Sequence, residues 1–214
     1  MTGWITKDDF ARMIARAAAL VRAQHALLSA LDCASGDGDH GATMLRVVDH
    51  LEKSVAGSAS DDLKTCLLEA GWSVLNVDGG ASSSLLGTFF LGMSEAPVLG
   101  APIGVEEFAA IFENGLVAVR KLTKAEPGDK TLMDALVPAV RALRAAADAG
   151  KTLTEALDDA AGAARSGAET TRSLTARYGR AKFLGEKTRG HQDPGATSVS
   201  LIFEGFSTGF EESQ

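Results

Sequence analysis

Residues 6–31 read TKDDFARMIARAAALVRAQHALLSAL, and this stretch decides the fold class. Its apolar side chains recur at intervals of three and four, the spacing that places them on one face of an α-helix. Thr6 stands at the position of an N-cap, and Asp9, three residues later, completes the pattern of a capping box. The stretch therefore predicts a long amphipathic helix with one buried face.

The same helical spacing continues along most of the chain. A second helix is predicted around Met44 and Leu51, and a third after the capping run Ser60-Asp61-Asp62. Later helices are predicted at about 82–93, 105–122, 131–147 and 153–174, and a last one after Pro194. No segment alternates apolar and polar residues as an exposed strand would. We therefore predict an all-α chain of about eight helices in one domain, 1–214, with antiparallel neighbours.

Charge and cysteine usage exclude several functional classes. The chain has 28 acidic and 21 basic residues and a net charge of −7. Nucleic acid and anionic membranes are therefore not expected as partners, because both require a basic surface. The two cysteines, Cys33 and Cys66, form no disulfide framework. With no signal-peptide pattern and no apolar run of roughly 18–20 residues, we expect a cytoplasmic protein.

Glycine usage is unusual for a helical protein. There are 23 glycines, although each glycine inside a helix costs about 1 kcal/mol relative to alanine. Many of them fall in four stretches between predicted helices: 36–41, 79–80, 128 and 179–195. The same stretches hold most of the unusual polar residues, so we expect function to lie in these loops.

The first glycine-rich stretch is strongly acidic. Residues 32–41 read DCASGDGDHG and place Asp32, Asp37 and Asp39 within eight residues. Oxygen ligands of this kind suit Mg²⁺ beside phosphate groups. A solvated turn with capping aspartates is the alternative. The spacing does not match the EF-hand loop, which excludes a calcium site of that type.

The other three stretches are weaker signals when each is taken alone. Residues 78–85 (DGGASSSL) offer free N–H groups at a helix start, which suits a phosphate, but an ordinary turn fits as well. Residues 126–134 (EPGDKTLMD) indicate a turn, with Met133 either in the core or against a base. In residues 179–197, Arg180 is a candidate phosphate donor or a surface arginine. There Asp193 and Pro194 are predicted to start the last helix, and no P-loop pattern occurs in the chain.

Together the four stretches resemble one family, the nucleotide-binding L subunit, or fused L domain, of dihydroxyacetone kinases. The matching pieces are GDGDHG with Asp32 before it, DGGASS, GDKTLMD and GRAKFLGEKTRGHQDPGATS, in family order and spacing. Thr43 stands where many relatives have asparagine, and Ser83-Ser84 where they have Gly-Pro. The resemblance implies an eight-helix antiparallel barrel that binds a nucleotide at one end through its inter-helix loops.

The resemblance also implies site residues. Asp32, Asp37 and Asp39 would hold two Mg²⁺ ions. The residues implied to contact ADP or ATP are His40, Gly41, Thr43, Ser82, Ser83, Gly128, Met133, Arg180, Asp193, Pro194 and Gly195. No side chain of the chain is expected to act as a catalytic nucleophile or base, since phosphoryl transfer needs charge neutralisation and alignment above all.

The function implied is transfer of a phosphoryl group from bound ATP to dihydroxyacetone held by a separate K subunit, with activity only in that complex. Partners expected from the resemblance are this K subunit, a phosphocarrier (M-type) subunit and a second copy of the chain, as a homodimer in a heteromeric complex. Erythrulose or another short ketose is an alternative acceptor, and a fatty-acid kinase domain is a rival within kinases. Another alternative is a regulatory ADP-binding module that docks on a transcription factor or phosphocarrier. Whether ATP exchanges or bound ADP is recharged stays open.

Overall fold

The computed structural model describes residues 4–97 and 103–211 of the 214-residue chain. These ranges contain eight α-helices and two 3₁₀ segments. The α-helices are α1 (Lys7–Cys33), α2 (His40–Gly57), α3 (Leu63–Leu75), α4 (Gly80–Ser94), α5 (Val105–Leu122), α6 (Met133–Asp148), α7 (Leu153–Thr170) and α8 (Pro194–Glu211). The 3₁₀ segments, η1 (Thr171–Ser173) and η2 (Arg180–Thr188), lie between α7 and α8. The predicted all-α class is confirmed.

Local capping chemistry starts several helices. The Thr6 hydroxyl accepts a hydrogen bond from the Asp9 N–H, and the Asp9 carboxylate accepts one from the Thr6 N–H at 2.8 Å. Thr152 and Glu155 form the same capping box at the start of α7. Asp62 caps α3 through its carboxylate. These contacts satisfy N–H groups that have no partner within the helix, and the predicted starts of α1 and α3 are confirmed.

The helices form a closed ring. Each helix packs against the next one along the chain, and α8 packs against α1 to complete the circle. Because the connections are short, sequential helices run antiparallel. This is the predicted eight-helix antiparallel barrel. In such a ring the connections α1–α2, α3–α4, α5–α6 and α7–α8 all lie at the same end.

A group of phenylalanine rings fills the interior between α4, α5 and α8. The Phe112 ring lies 5.7 Å from Phe89, 5.7 Å from Phe203 and 6.0 Å from Phe206, measured between ring centroids. Phe112 and Phe206 are fully buried. Each such side chain contributes about 1.5–3 kcal/mol through removal from water. The rings therefore join helices on opposite parts of the circle into one core.

Glycine allows the first and last helices to approach closely. A Cβ atom at Gly205 of α8 would overlap the backbone of Ala17 in α1. Gly41, at the start of α2, likewise lies against the carbonyl oxygen of His25 in α1. Gly205 is thus a helical use of glycine beyond the loop positions expected from the sequence, and it sets the helix separation where α8 closes the ring against α1, while Gly41 does the same between α2 and α1.

Helix bounds differ from the predicted ones near the functional loops. α6 begins at Met133 and not at 131, because the Asp134 carboxylate accepts from the N–H groups of Gly128 and Thr131 and holds a turn there. α7 ends at Thr170 and not at 174, where it passes into η1. The 3₁₀ segment η2 was not predicted. No described helix combines the length and apolar character that crossing a bilayer requires.

Candidate nucleotide and metal site

A cavity of about 560 Å³ opens at the end of the barrel where the four odd-to-even connections meet. Every one of these connections contributes to its wall. The lining residues include Asp32, Asp37, Asp39, His40, Thr43 and Arg46; Asp78, Gly79, Gly80, Ser82 and Leu85; Thr123, Ala125, Lys130, Leu132 and Met133; and Tyr178, Arg180, Asp193, Pro194 and Gly195. Most of the cavity wall therefore comes from the four stretches singled out in the sequence.

Three carboxylates converge on one side of the cavity. One oxygen from each of Asp32, Asp37 and Asp39 lies within 4.8 Å of the others. The Asp32 carboxylate accepts from the His40 N–H at 3.1 Å, which ties the end of α1 to the start of α2. A Cβ atom at Gly36 would overlap the Asp32 carboxylate, so only glycine leaves that group its place. Three close carboxylate oxygens are a donor set that fits Mg²⁺.

Two arginines reach the acidic side. Arg180 forms an ion pair with Asp37 across the cavity, although its side chain is largely exposed. Arg46 donates to the Thr43 hydroxyl at 3.0 Å and to the Asp78 carbonyl at 2.9 Å, and so joins α2 to the α3–α4 connection. Both residues line the cavity. The guanidinium group of each is suited to bind a phosphate.

The buried side chain of His40, the first residue of α2, contacts residues near the starts of α4 and α8. Its Nε2 lies 2.6 Å from the Ser198 hydroxyl, and that hydroxyl donates to the Pro194 carbonyl at 2.9 Å. Nδ1 faces the Ser82 hydroxyl at 3.4 Å. Burial lowers the pKa of His40 below its usual value, although the nearby Asp32 charge and the Pro194 carbonyl act in the opposite direction. The His40 ring thus links the start of α2 to the starts of α4 and α8.

The opposite wall is more apolar. Met133 is fully buried yet lines the cavity beside Leu132, Ala125 and Thr123. Met133 is therefore a core residue, as one of the two interpretations predicted, and it also borders the cavity; its contact with a base stays a prediction. Such a wall suits the face of an aromatic base.

Asp193 starts the last helix and borders the cavity. Its carboxylate accepts from the Ala196 N–H at 2.7 Å, which is the predicted N-cap contact. Burial raises the pKa of Asp193 from 3.8 to about 7, and the Asp134 charge adds to this rise, while the Ala196 N–H and Lys130 oppose it. Pro194 is the first residue of α8, as predicted.

Comparison with known proteins identifies the family. The family model of the DAK2 domain matches residues 34–208. The chain belongs to the DAK2 domain family. Among its relatives is the ADP-binding subunit DhaL of the PEP-dependent dihydroxyacetone kinase of Escherichia coli K12, 34% identical over 200 residues, which cover 94% of this chain and 95% of that one.

Two further similarities bear on this DAK2 chain. The L-erythrulose 1-kinase of Mycolicibacterium smegmatis is 38% identical over 185 residues, covering 83% of this chain and 31% of the relative. The crystal structure of the dihydroxyacetone kinase of C. freundii in complex with AMP-PNP and Mg²⁺ aligns with a TM-score of 0.72 and 27% identity. That alignment covers 95% of the DAK2 chain and 33% of the larger protein. The barrel is therefore the DAK2 fold.

Most of the predicted contact residues line the cavity of this DAK2 domain, but three do not. Gly41 lies against α1. Ser83 is buried and donates to the Val77 carbonyl at 3.1 Å. Gly128 donates its N–H to Asp134 at 2.7 Å. These three residues lie outside the cavity lining, and their contact with nucleotide stays a prediction.

The sequence did not single out several side chains of the DAK2 cavity. Arg46 and Tyr178 line it, as does Lys130. Lys130 belongs to the GDKT run, but the sequence indicates no role for it there. Arg46 lies within α2, three residues after Thr43. A cationic residue one helical turn from a predicted contact was the signal that could have found Arg46.

Proposed function

We propose that this chain is the nucleotide- and magnesium-binding subunit of a dihydroxyacetone-type kinase, which supplies the phosphoryl donor to a ketose held by a separate K subunit. The meeting of three carboxylates and a nucleotide-sized cavity carries the proposal. A volume of about 560 Å³ lies within the range of ligand sites, about 300–1,000 Å³. The DhaL relative is named as an ADP-binding subunit, which supports the same function here.

The two sides of the cavity suit the two ends of a nucleotide. Residues at the starts of α2, α4 and α8 line it, among them His40, Gly80 and Pro194. Helix N-termini attract phosphate through free N–H groups and the helix dipole. With Arg180 they form the phosphate side, and Met133 and Leu132 form the base side.

The three aspartates are the residues that would hold Mg²⁺, with two ions as the prediction. Bound there, Mg²⁺ supplies neutralisation of the charge on the phosphate oxygens. The chain's own residues bind and orient the nucleotide, and none of them is assigned as a nucleophile or base. Both an exchangeable ATP and a bound ADP recharged by a phosphocarrier fit this site.

A separate partner would complete the enzyme. The segment 172–189 beside the cavity carries six basic side chains against one acidic side chain, Glu186, in a chain of net charge −7. It also exposes 82% of the Phe183 side chain. We propose that this surface meets the K subunit, whose pocket selects the ketose. Erythrulose is a second candidate substrate, favoured by the L-erythrulose 1-kinase relative. A single domain over the whole chain, a homodimer and a cytoplasmic location stay predictions.

The test is calorimetric titration of ADP into the protein with Mg²⁺ and with EDTA. Asp37→Asn and Asp39→Asn remove one carboxylate charge each, so Mg-dependent affinity for ADP should fall about 10- to 100-fold. Asp49→Asn, on α2 and paired with Arg22 away from the cavity, is the matched control. Unchanged affinity in both site variants would remove the metal assignment.

Native mass spectrometry of the fresh protein in magnesium buffer then separates the two donor modes. Retained ADP that added ATP does not displace indicates a subunit recharged by a phosphocarrier. Ready exchange to ATP indicates an ATP-dependent kinase. If no nucleotide is bound either to the fresh protein or to the protein after ATP is added, the proposed function is contradicted.

A further inference from the structure

Lys130 is a buried lysine in the turn before α6. Only 3% of its surface is exposed, yet it lines the cavity. Its ammonium donates to the carbonyl of Thr171 at 2.6 Å and to the carbonyl of His191 at 2.5 Å. These acceptors are 41 and 61 residues away along the chain. A buried ammonium without such partners would be strongly unfavourable.

The two acceptors are the two ends of one segment. Between Thr171 and His191 the chain leaves the barrel, forms η2 and returns to α8. We call residues 172–189 the mouth segment and the pair Thr171 and His191 its neck. The mouth segment brings Tyr178, Arg180 and their neighbours to the cavity. One side chain therefore bridges both ends of the segment that carries Arg180.

Other contacts close the same neck. The Gly190 N–H donates to the Arg172 carbonyl at 2.8 Å. The Asp193 N–H donates to the Thr171 hydroxyl at 2.8 Å. Lys130 differs from these contacts because it belongs to the α5–α6 connection, outside the segment, and so it fixes the neck relative to the turn before α6.

The turn that carries Lys130 is itself rigidly held. The Asp134 carboxylate, 4% exposed, accepts from Gly128 and Thr131 at 2.7 Å each, on either side of the lysine. Lys130 has a φ of 60°, and it is the one non-glycine residue with positive φ in the part of the chain that the structure describes. Side chains with a Cβ disfavour this conformation, and such strain often marks a functional position.

We propose that Lys130 is a positioning residue, whose ammonium fixes the neck of the mouth segment and thereby the place of Arg180 at the cavity. Asp134 of α6 holds the turn through its carboxylate, and Lys130 of that turn holds the neck through its ammonium. The role in ligand binding rests on the proposed function. The effect on the mouth segment can be measured without any nucleotide.

Limited trypsin digestion of the full-length, nucleotide-free protein tests the proposal, because the mouth segment contains exposed sites such as Arg177, Lys182 and Lys187. Lys130→Met keeps much of the length of the side chain and removes the donors. We expect cleavage within 172–189 to accelerate about tenfold or more, since two hydrogen bonds from a charged group are lost. Lys130→Arg should restore part of the protection. Lys124 is an exposed lysine of the same connection. The Lys124→Met variant should be cleaved within 172–189 at the same rate as the unsubstituted protein.

Lys130→Gly provides a second variant in case the methionine variant does not fold. Glycine accepts the positive φ, so it relieves backbone strain while it removes the ammonium. Cleavage of the mouth segment at the original rate in the folded variants would overturn the proposal. A loss of Mg-ADP affinity without faster cleavage would also overturn it, since Lys130 would then contact the phosphate directly. If the unsubstituted protein binds no Mg-ADP, the proposed function fails, whereas the cleavage rates still decide the positioning role.

Discussion

Asp193, a partly exposed residue at the cavity, makes the stability of the fold sensitive to pH. Its pKa is raised from 3.8 to about 7, first by burial and then by the charge of Asp134. The folded state therefore holds the proton more tightly than the unfolded state does. Both states are protonated below 3.8, and both are ionised well above 7. The free energy of unfolding should thus fall as the pH rises between these values.

Asp193→Asn tests this sign. Asparagine cannot ionise but still caps a helix about as well as aspartate. The variant should therefore lose less stability than the original protein as the pH rises from about 5 to about 8. Urea denaturation at four pH values measures the difference. Two parallel profiles would show that the carboxylate titrates normally in the folded state.

At the scale of elements, the contact between α1 and α8 closes the barrel, and Gly205 makes it possible. An added Cβ atom would meet the backbone of Ala17. Gly205→Ala should therefore destabilise the protein by about 1–3 kcal/mol through overpacking, although alanine is the better helix former.

Gly162→Ala is the matched control for that substitution. Gly162 lies within α7 and has nothing within 4 Å of a built Cβ atom. This change should be neutral or stabilising by up to about 1 kcal/mol. Equal denaturation midpoints for the two variants would mean that α1 and α8 move apart to accept the added Cβ atom without loss of stability.

Local signals predicted the helices and the acidic loop well. The capping box of Thr6 and Asp9 and the spacing of apolar residues depend on near neighbours along the chain, and the structure has them as predicted. The closeness of Asp32, Asp37 and Asp39 also follows from a short glycine-rich turn.

The sequence missed contacts made between distant segments. No sequence pattern pairs Lys130 with the carbonyls of Thr171 and His191, because a backbone carbonyl carries no residue identity. The turn held by Asp134 likewise moved the start of α6, since its carboxylate binds the N–H groups of Gly128 and Thr131 across that turn. Sequence patterns report which loops matter, whereas the distances between those loops depend on the closure of the whole ring.

At the scale of the whole molecule, charge is distributed unevenly. The chain is acidic, but the mouth segment is basic and lies beside the cavity. An acidic K subunit surface would be attracted to this end of the barrel and turned toward the nucleotide. Association should therefore weaken as salt rises, because salt screens exposed charges.

Charge reversal in the mouth segment tests that orientation. Lys182→Glu combined with Lys187→Glu should slow association with a dihydroxyacetone-binding K subunit about tenfold at low salt. Phe183→Ser should mainly speed dissociation, since it removes an exposed aromatic anchor. Lys53→Glu combined with Lys64→Glu, at exposed positions of α2 and α3 outside the mouth segment, changes the net charge by the same amount and is the control. Biolayer interferometry at several salt concentrations measures both rates. If this control pair slows association as much as the pair in the mouth segment does, the overall charge and not the mouth segment guides the encounter.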